Sequence, residues 1–250
     1  NKHVAEEAMP MKTLSEAMGL RNALLDNFER ALTCAGEQER QELLNVVIVG
    51  GGATGVEIAG ALSEMKKYVL PKDYPDMPSS LMHIYLIEAG ERLLPAMSPD
   101  SSAHVEKYLR SMGVNVLVNK MVTDYQDHRV ILKDGSSIAT RTFIWVSGVA
   151  AQKVGNLDAS HLGRGARIKV NACNQVEGLD GVFSIGDQCI MTEGDPNWPG
   201  GHPQLAQVAI QQGVLLAKNL QRLEKGKEMK PFRYRNLGTM ATVGRNKAVA

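Results

Sequence analysis

Gly50, Gly52 and Gly55 stand in G-x-G-x-x-G spacing, an arrangement that can bring a pyrophosphate against bare backbone. Gly50 allows the tight strand-to-helix turn, Gly52 lets the backbone approach the pyrophosphate, and Gly55 lets the helix pack close to the strand. With Gly51, Ala53 and Thr54 they form a turn whose free N–H groups sit at the positive end of a helix dipole. Glu88 ends a second apolar run, His83–Ile87. A carboxylate there accepts hydrogen bonds from ribose hydroxyls and repels a 2′-phosphate, which favours NADH over NADPH. The counter-reading makes Arg92 a phosphate ligand, and the plain one makes Glu88 and Arg92 a solvated ion pair of little value. Asp187 ends a third apolar run at the edge where α/β sheets hold ligands, or else caps the next turn. Gln207 and Gln211, four apart, share one face of a helix. Their amides could bond a ligand carbonyl without adding charge, or form an ordinary polar stripe.

The glycines alone are a weak signal, and the flanking elements supply the context. Val46–Val49 is β-branched or aliphatic throughout and reads as a strand buried on both faces. Val56, Ile58, Ala59, Leu62 and Met65 recur at helical spacing to about Tyr68. Glu88 lies farther from Gly55 than the roughly 20 residues of the minimal fingerprint, and the proline-rich segment 71–78 accounts for the excess as an inserted loop. Upstream, residues 1–12 read as irregular, Thr13–Glu16 as a capping box opening a helix to about Ala35, and residues 37–40 as a charged link. Downstream, Ser98-Pro99 opens a helix that stops at Gly113, and Val114–Val118 is a third strand. Residues 122–126, 129–133 and Ile138 suggest an antiparallel meander, and 142–146 a further buried strand. Beyond about residue 152, strands are expected at 168–170 and 181–187, a Gly/Pro-rich loop at 192–203, and a helix from Gln204 to Leu223. The fold class is therefore α/β.

At 250 residues, 44% hydrophobic and 22% charged, the composition is that of a globular protein with one large or two ordinary cores. A net charge of +1 argues against nucleic acid as the main partner. Cys34, Cys173 and Cys189 are too scattered for a zinc knuckle, a disulfide framework or a local dithiol pair, so no metal is expected. No apolar stretch reaches the 18 residues that would span a bilayer, and no signal peptide opens the chain. The first residue is Asn and the last stretch breaks off mid-pattern, so the chain reads as a piece of a longer protein.

Several segments together resemble the two-dinucleotide flavoproteins, and more closely their type II NADH dehydrogenases, the NADH:quinone oxidoreductases. They are residues 50–57 (GGGATGVE), 87–95, Trp145–Val149, Phe183–Asp187, the 206–213 run AQVAIQQG, and 238–250 (GTMATVGRNKAVA). The resemblance covers essentially the whole chain. It implies a Rossmann-like NAD-binding domain (a parallel sheet with an antiparallel meander) at 44–152, inserted into an FAD-binding domain whose parts are 1–43 and 153–250. It implies FAD and NADH as cofactors, hydride transfer from NADH to FAD, and two-electron reduction of a membrane quinone without proton pumping. Residues 50–55, Glu57, Glu88, Ser147, Gly148, Gly186, Asp187 and Ala206 would contact cofactors. Glu57 would place the nicotinamide, Asp187 would hold the flavin ribityl chain, Gln207 and Gln211 would lie beside quinone and flavin, and Lys247 near both. The basic stretch 218–247, with nine cations against Glu224 and Glu228, could approach an anionic membrane.

Two parts of the family pattern are missing: a first FAD half-site with its own glycine motif, and amphipathic C-terminal helices. The parent is thus expected to sit peripherally on the cytoplasmic face of the inner membrane, with a possible homodimer, while the chain itself is soluble. The chain is expected to bind NADH, hold FAD weakly and show little quinone reductase activity. Rival readings are a ferredoxin- or disulfide-type reductase of the same fold and a non-catalytic NADH-binding module.

Overall fold

A computed structural model describes residues 1–148, 150–193 and 195–250. Val149, the end of the Trp145–Val149 stretch, and Gly194, in the expected 192–203 loop, lie outside the described residues. The chain divides into two compact units, Asn1–Ser147 with Thr239–Ala250, and Gly148–Gly238.

The first unit begins with α1 (Lys2–Glu7), where the sequence reads as irregular; the Asn1 side chain caps it by accepting the His3 N–H. Helix α2 (Leu14–Thr33) starts at the expected capping box, Thr13 accepting the Glu16 N–H and Glu16 accepting the Thr13 N–H. Residues 37–40 are not a link: α3 (Glu37–Leu44) occupies them, with acidic residues in its first turn and buried Leu43 and Leu44 at its end. Then follow β1 (Asn45–Val49), α4 (Ala53–Tyr68), the short α5 (Leu70–Asp73), β2 (His83–Ile87), α6 (Pro99–Ser111) and β3 (Val114–Leu117). A meander, β4 (Val122–Gln126), β5 (Arg129–Leu132) and β6 (Ser137–Ala139), precedes β7 (Thr142–Trp145). The main sheet is parallel throughout, in the order β3-β2-β1-β7, and the meander forms a separate antiparallel sheet.

Alternation along β1 explains its unbroken apolar run. Val46 and Ile48 join a core with Phe28, Val56, Ile84, Leu86 and Leu109, whereas Val47 and Val49 join Tyr125, Val130, Leu132 and Phe143. Helices cover one face and the meander the other. Tyr125 stacks on Phe143 at 4.8 Å and donates to the Thr140 carbonyl at 2.9 Å; burial pushes its hydroxyl up to about 12.

The second unit contains β8 (Ile168–Lys169), β9 (Cys189–Ile190) and α7 (Ala206–Glu224), around a core of Ile168, Val170, Val176, Cys189, Met191, Val208 and Phe232. The expected strand 181–187 does not form. Phe183 makes an isolated bridge with Gln175, and Gly186–Gln188 curls into a 3₁₀ turn. The Gly186 N–H goes to Gln212 Oε1 at 2.7 Å instead of a ladder, with φ at +66°. A Cβ there would meet the Ala209 Cβ at 3.0 Å, so glycine permits both the turn and the close helix.

Residues 239–250 belong to the first unit, where the sequence groups them with 153–238. They form the hairpin β10 (Ala241–Val243) and β11 (Lys247–Val249) against α4. Gly60 allows that approach, since a Cβ on it would lie 2.6 Å from the Gly244 nitrogen. Thr242 donates to Glu57 at 3.2 Å, and Glu64 accepts the Arg245 N–H at 2.7 Å.

Candidate functional site

The glycine turn lies between the carboxyl end of β1 and the start of α4, and its glycines are not equivalent. Gly50 has φ +121°, and a Cβ on it would strike the Ser147 nitrogen at 2.9 Å. On Gly55 a Cβ would lie 1.9 Å from the Gly50 carbonyl oxygen. Gly51 is crowded as well, by Leu93 at 2.7 Å and Glu88 at 2.9 Å, a constraint the motif does not announce. Gly52 alone of the four has nothing within 4 Å of its would-be Cβ. Gly52, Ala53 and Thr54 are exposed, and among the described residues no side chain caps the amino end of α4. The turn is thus closed towards the protein and open outward at Gly52, with the first helical N–H groups left for an outside acceptor.

Glu88 braces this turn. Its two carboxylate oxygens accept the Gly51 and Gly90 N–H groups, each at 2.6 Å. Each oxygen keeps a lone pair that can also take a ribose hydroxyl. Arg92 donates to the carbonyls of Met97 at 3.1 Å and Pro95 at 3.0 Å, so its guanidinium orders the following loop and makes no ion pair among the described residues. Ser147 borders the turn through its backbone, and its carbonyl accepts the Trp145 indole N–H at 2.7 Å. Gly148, at φ +75°, opens the second unit. Glu57 sits exposed in the second turn of α4, with Thr242 as its partner.

In the second unit, Asp187 is exposed on the 3₁₀ turn beside Gly186, and its carboxylate makes no hydrogen bond or ion pair among the described residues. Ala206, exposed, opens α7. Gln207 and Gln211 do share a face, but both amides are engaged with backbone. Gln207 accepts the Leu237 N–H at 3.1 Å and donates to the Gly238 carbonyl at 2.9 Å; Gln211 accepts the Arg235 N–H at 3.0 Å and donates to the Arg235 carbonyl at 2.9 Å. Asn219, two turns farther on, treats Lys230 the same way at 2.9 and 2.8 Å. Three amides on α7 therefore hold residues 230–238 as the edge of a strand would. The i, i+4 spacing announces the shared face, but not the partner.

Lys247 lies in the first unit, its ammonium 4.3 Å above the Tyr108 ring. One cluster left no mark on the sequence reading. Buried Asp195 and His202 pair at 3.1 Å, with Phe232 and Tyr234 edge-on to the imidazole and Trp198 tilted against it. Burial pulls the Asp195 carboxyl up, but hydrogen bonds from His202 and the N–H groups of Asn197 and Tyr234 outweigh it and leave the carboxyl below its usual range.

The three cysteines are free. Burial raises the thiols of Cys173 and Cys189, the wrong direction for a thiolate nucleophile. Among the described residues no cluster could hold a metal ion, and no helix is long and apolar enough to cross a membrane.

The chain is 34% identical over 254 residues to the type II NADH:quinone oxidoreductase of Haemophilus influenzae, covering 97% of this chain and 56% of the relative. It is 33% identical over 263 residues to the type II NADH:quinone oxidoreductase NdhA of Mycobacterium tuberculosis, covering 100% and 54%. The chain thus spans about half the length of the curated relatives it matches. In three dimensions it is similar to NDH2 from Plasmodium falciparum, solved in complex with NADH, with a TM-score of 0.86, 18% identity, and coverage of 98% of this chain and 65% of that one. The fold is accordingly Rossmann-like α/β. Residues 6–213 match the model of the pyridine nucleotide-disulphide oxidoreductases, and the chain belongs to that family.

Proposed function

We propose that the chain is the coenzyme-binding part of a type II NADH:quinone oxidoreductase. In this reading residues 50–55 receive the pyrophosphate of NADH and Glu88 selects it over NADPH. The whole protein passes hydride to FAD and two electrons to a membrane quinone, without pumping protons. The observation that carries it is the one-sided turn: Gly50, Gly51 and Gly55 have no room for a side chain, while Gly52 faces open space. Packing alone would not require the outward side to be bare.

The residues present also suit part of an FAD site. Asp187 offers a carboxylate that is unpaired among the described residues, and Gly186 bends the chain so that it stands exposed. That carboxylate would accept hydrogen bonds from the ribityl hydroxyls, and Ala206 would leave the adjacent start of α7 unobstructed. When bound, FAD supplies the two-electron chemistry. Glu57 would orient the nicotinamide, since hydride transfer needs donor and acceptor about 3–3.5 Å apart and aligned. Gln207 and Gln211 would serve by positioning residues 235–238; direct contact of either amide with quinone would require one backbone pair to open. A lipid-dissolved acceptor requires approach to a membrane surface, consistent with a peripheral enzyme at the cytoplasmic face of the inner membrane. The raised thiols of Cys173 and Cys189 weigh against the disulfide-reductase reading.

The test is Gly52→Val, followed by calorimetric titration with NADH and NADPH. The variant should unfold within about 4 °C of the parent, because its side chain projects into open space and costs only a poorer N-cap for α4. It should lose NADH affinity by at least about tenfold, roughly 1.4 kcal/mol. The parent should prefer NADH. Equal NADH affinity in parent and variant would reduce the turn to a packing device and end the proposal.

A further inference from the structure

We propose that the first unit carries a second binding site, for a small organic anion with a phosphate or carboxylate head on a flat body. The site is a cavity of about 510 Å³ between the carboxyl-terminal half of α4, the end of α6 and the β10–β11 hairpin. That volume is ordinary for a small-molecule site. Ser63, Glu64, Lys67, Tyr68, Met112 and Lys247 line it.

Ser63 is the most telling member. It is 3% exposed, and among the described residues its hydroxyl has no hydrogen-bond partner. Serines inside helices ordinarily bond back to the preceding turn or face water. An orphaned buried hydroxyl is unfavourable, and a χ1 rotation towards the cavity that Ser63 lines would let a ligand oxygen satisfy it.

Charge points to the sign of the ligand. The Lys67 and Lys247 ammonium groups stand 5.1 Å and 4.3 Å over the rings of Tyr68 and Tyr108, and neither has an ion-pair partner among the described residues. Each offers three donors to an oxyanion. The carboxylate of the lining, Glu64, is already held by the Arg245 N–H at 2.7 Å and its guanidinium at 3.7 Å. The cavity therefore presents net positive charge beside the Tyr68 ring and the Met112 thioether, walls suited to a flat apolar body.

This is not the coenzyme turn. Ser63 lies about 15 Å along α4 from Ala53 at 1.5 Å per residue, so the site stands whether or not the glycine turn binds NADH.

Phenyl phosphate, inorganic phosphate and benzoate, titrated calorimetrically into the full chain, provide the test. Phenyl phosphate should bind more tightly than inorganic phosphate; benzoate binding as tightly as phenyl phosphate assigns a carboxylate head, and weaker binding a phosphate head. Lys67→Ala should weaken the best probe about tenfold and Ser63→Ala about threefold. Ser63→Ala should also leave thermal unfolding unchanged or raised, since it removes an unsatisfied group, and Gly52→Val should not affect these probes. Absence of heat with all three at millimolar concentration would overturn the proposal. So would affinities that neither Lys67→Ala nor Ser63→Ala alters.

Discussion

Gly55→Ala is expected to lower the unfolding free energy by at least about 3 kcal/mol, at or beyond the upper end for added core atoms. The new Cβ would sit 1.9 Å from the Gly50 carbonyl oxygen, so helix and strand would have to separate by more than an ångström. Neither can yield cheaply. The Gly50 N–H is bonded to the Ile87 carbonyl at 2.9 Å, and α4 is fastened by buried Val56, Ile58, Ala59 and Leu62. The same change should abolish coenzyme binding, because the amino end of α4 moves with the turn. Denaturant unfolding checks the first effect and NADH titration the second. An unfolding midpoint equal to the parent's would show that the close approach of helix and strand is not needed. Gly52→Val, three residues away, separates the two effects, since it adds bulk only on the ligand side.

Asp195→Ala should remove about 3 kcal/mol. The carboxylate accepts from buried His202 at 3.1 Å and from the part-buried N–H groups of Asn197 at 3.1 Å and Tyr234 at 3.4 Å. Its loss leaves the buried His202 donor without an acceptor and hands the two N–H groups to solvent. The pH dependence follows from the lowered carboxyl. A folded-state value below the unfolded one stabilises the protein fully above about pH 4, and that contribution fades as pH falls through the folded value. The variant should therefore lose stability mainly above pH 4 and match the parent more closely in acid. A loss of the same size at pH 2 and pH 7 would assign the effect to packing. Asp195→Asn keeps one acceptor oxygen and should recover part of the loss.

What could be read from the sequence was local. The four β-branched or aliphatic residues of β1 dictate burial on both faces, and the glycine spacing dictates a turn, because each depends on neighbours within a few positions. The capping box at Thr13 and Glu16 is local too. Misreadings arose where a distant partner decides. Residues 37–40 look like a charged link until Leu43 and Leu44 find the core. Residues 181–187 have strand composition, but Gln212 takes the Gly186 N–H from the ladder. Nothing within 239–250 says that Gly244 will meet Gly60. Asp195 and His202 are too ordinary a pair at that spacing to stand out before Phe232 and Tyr234 close over them.

The amide pairs on α7 bear on how evolution can alter residues 230–238. A surface stretch lacking helix or sheet usually tolerates gained or lost residues. This one is pinned at Lys230, Arg235 and Leu237 to side chains fixed by helical pitch. An indel between any two pins would throw at least one donor–acceptor couple out of register, so lineages should conserve its length and the buried Phe232 while varying exposed side chains such as Arg233 and Asn236.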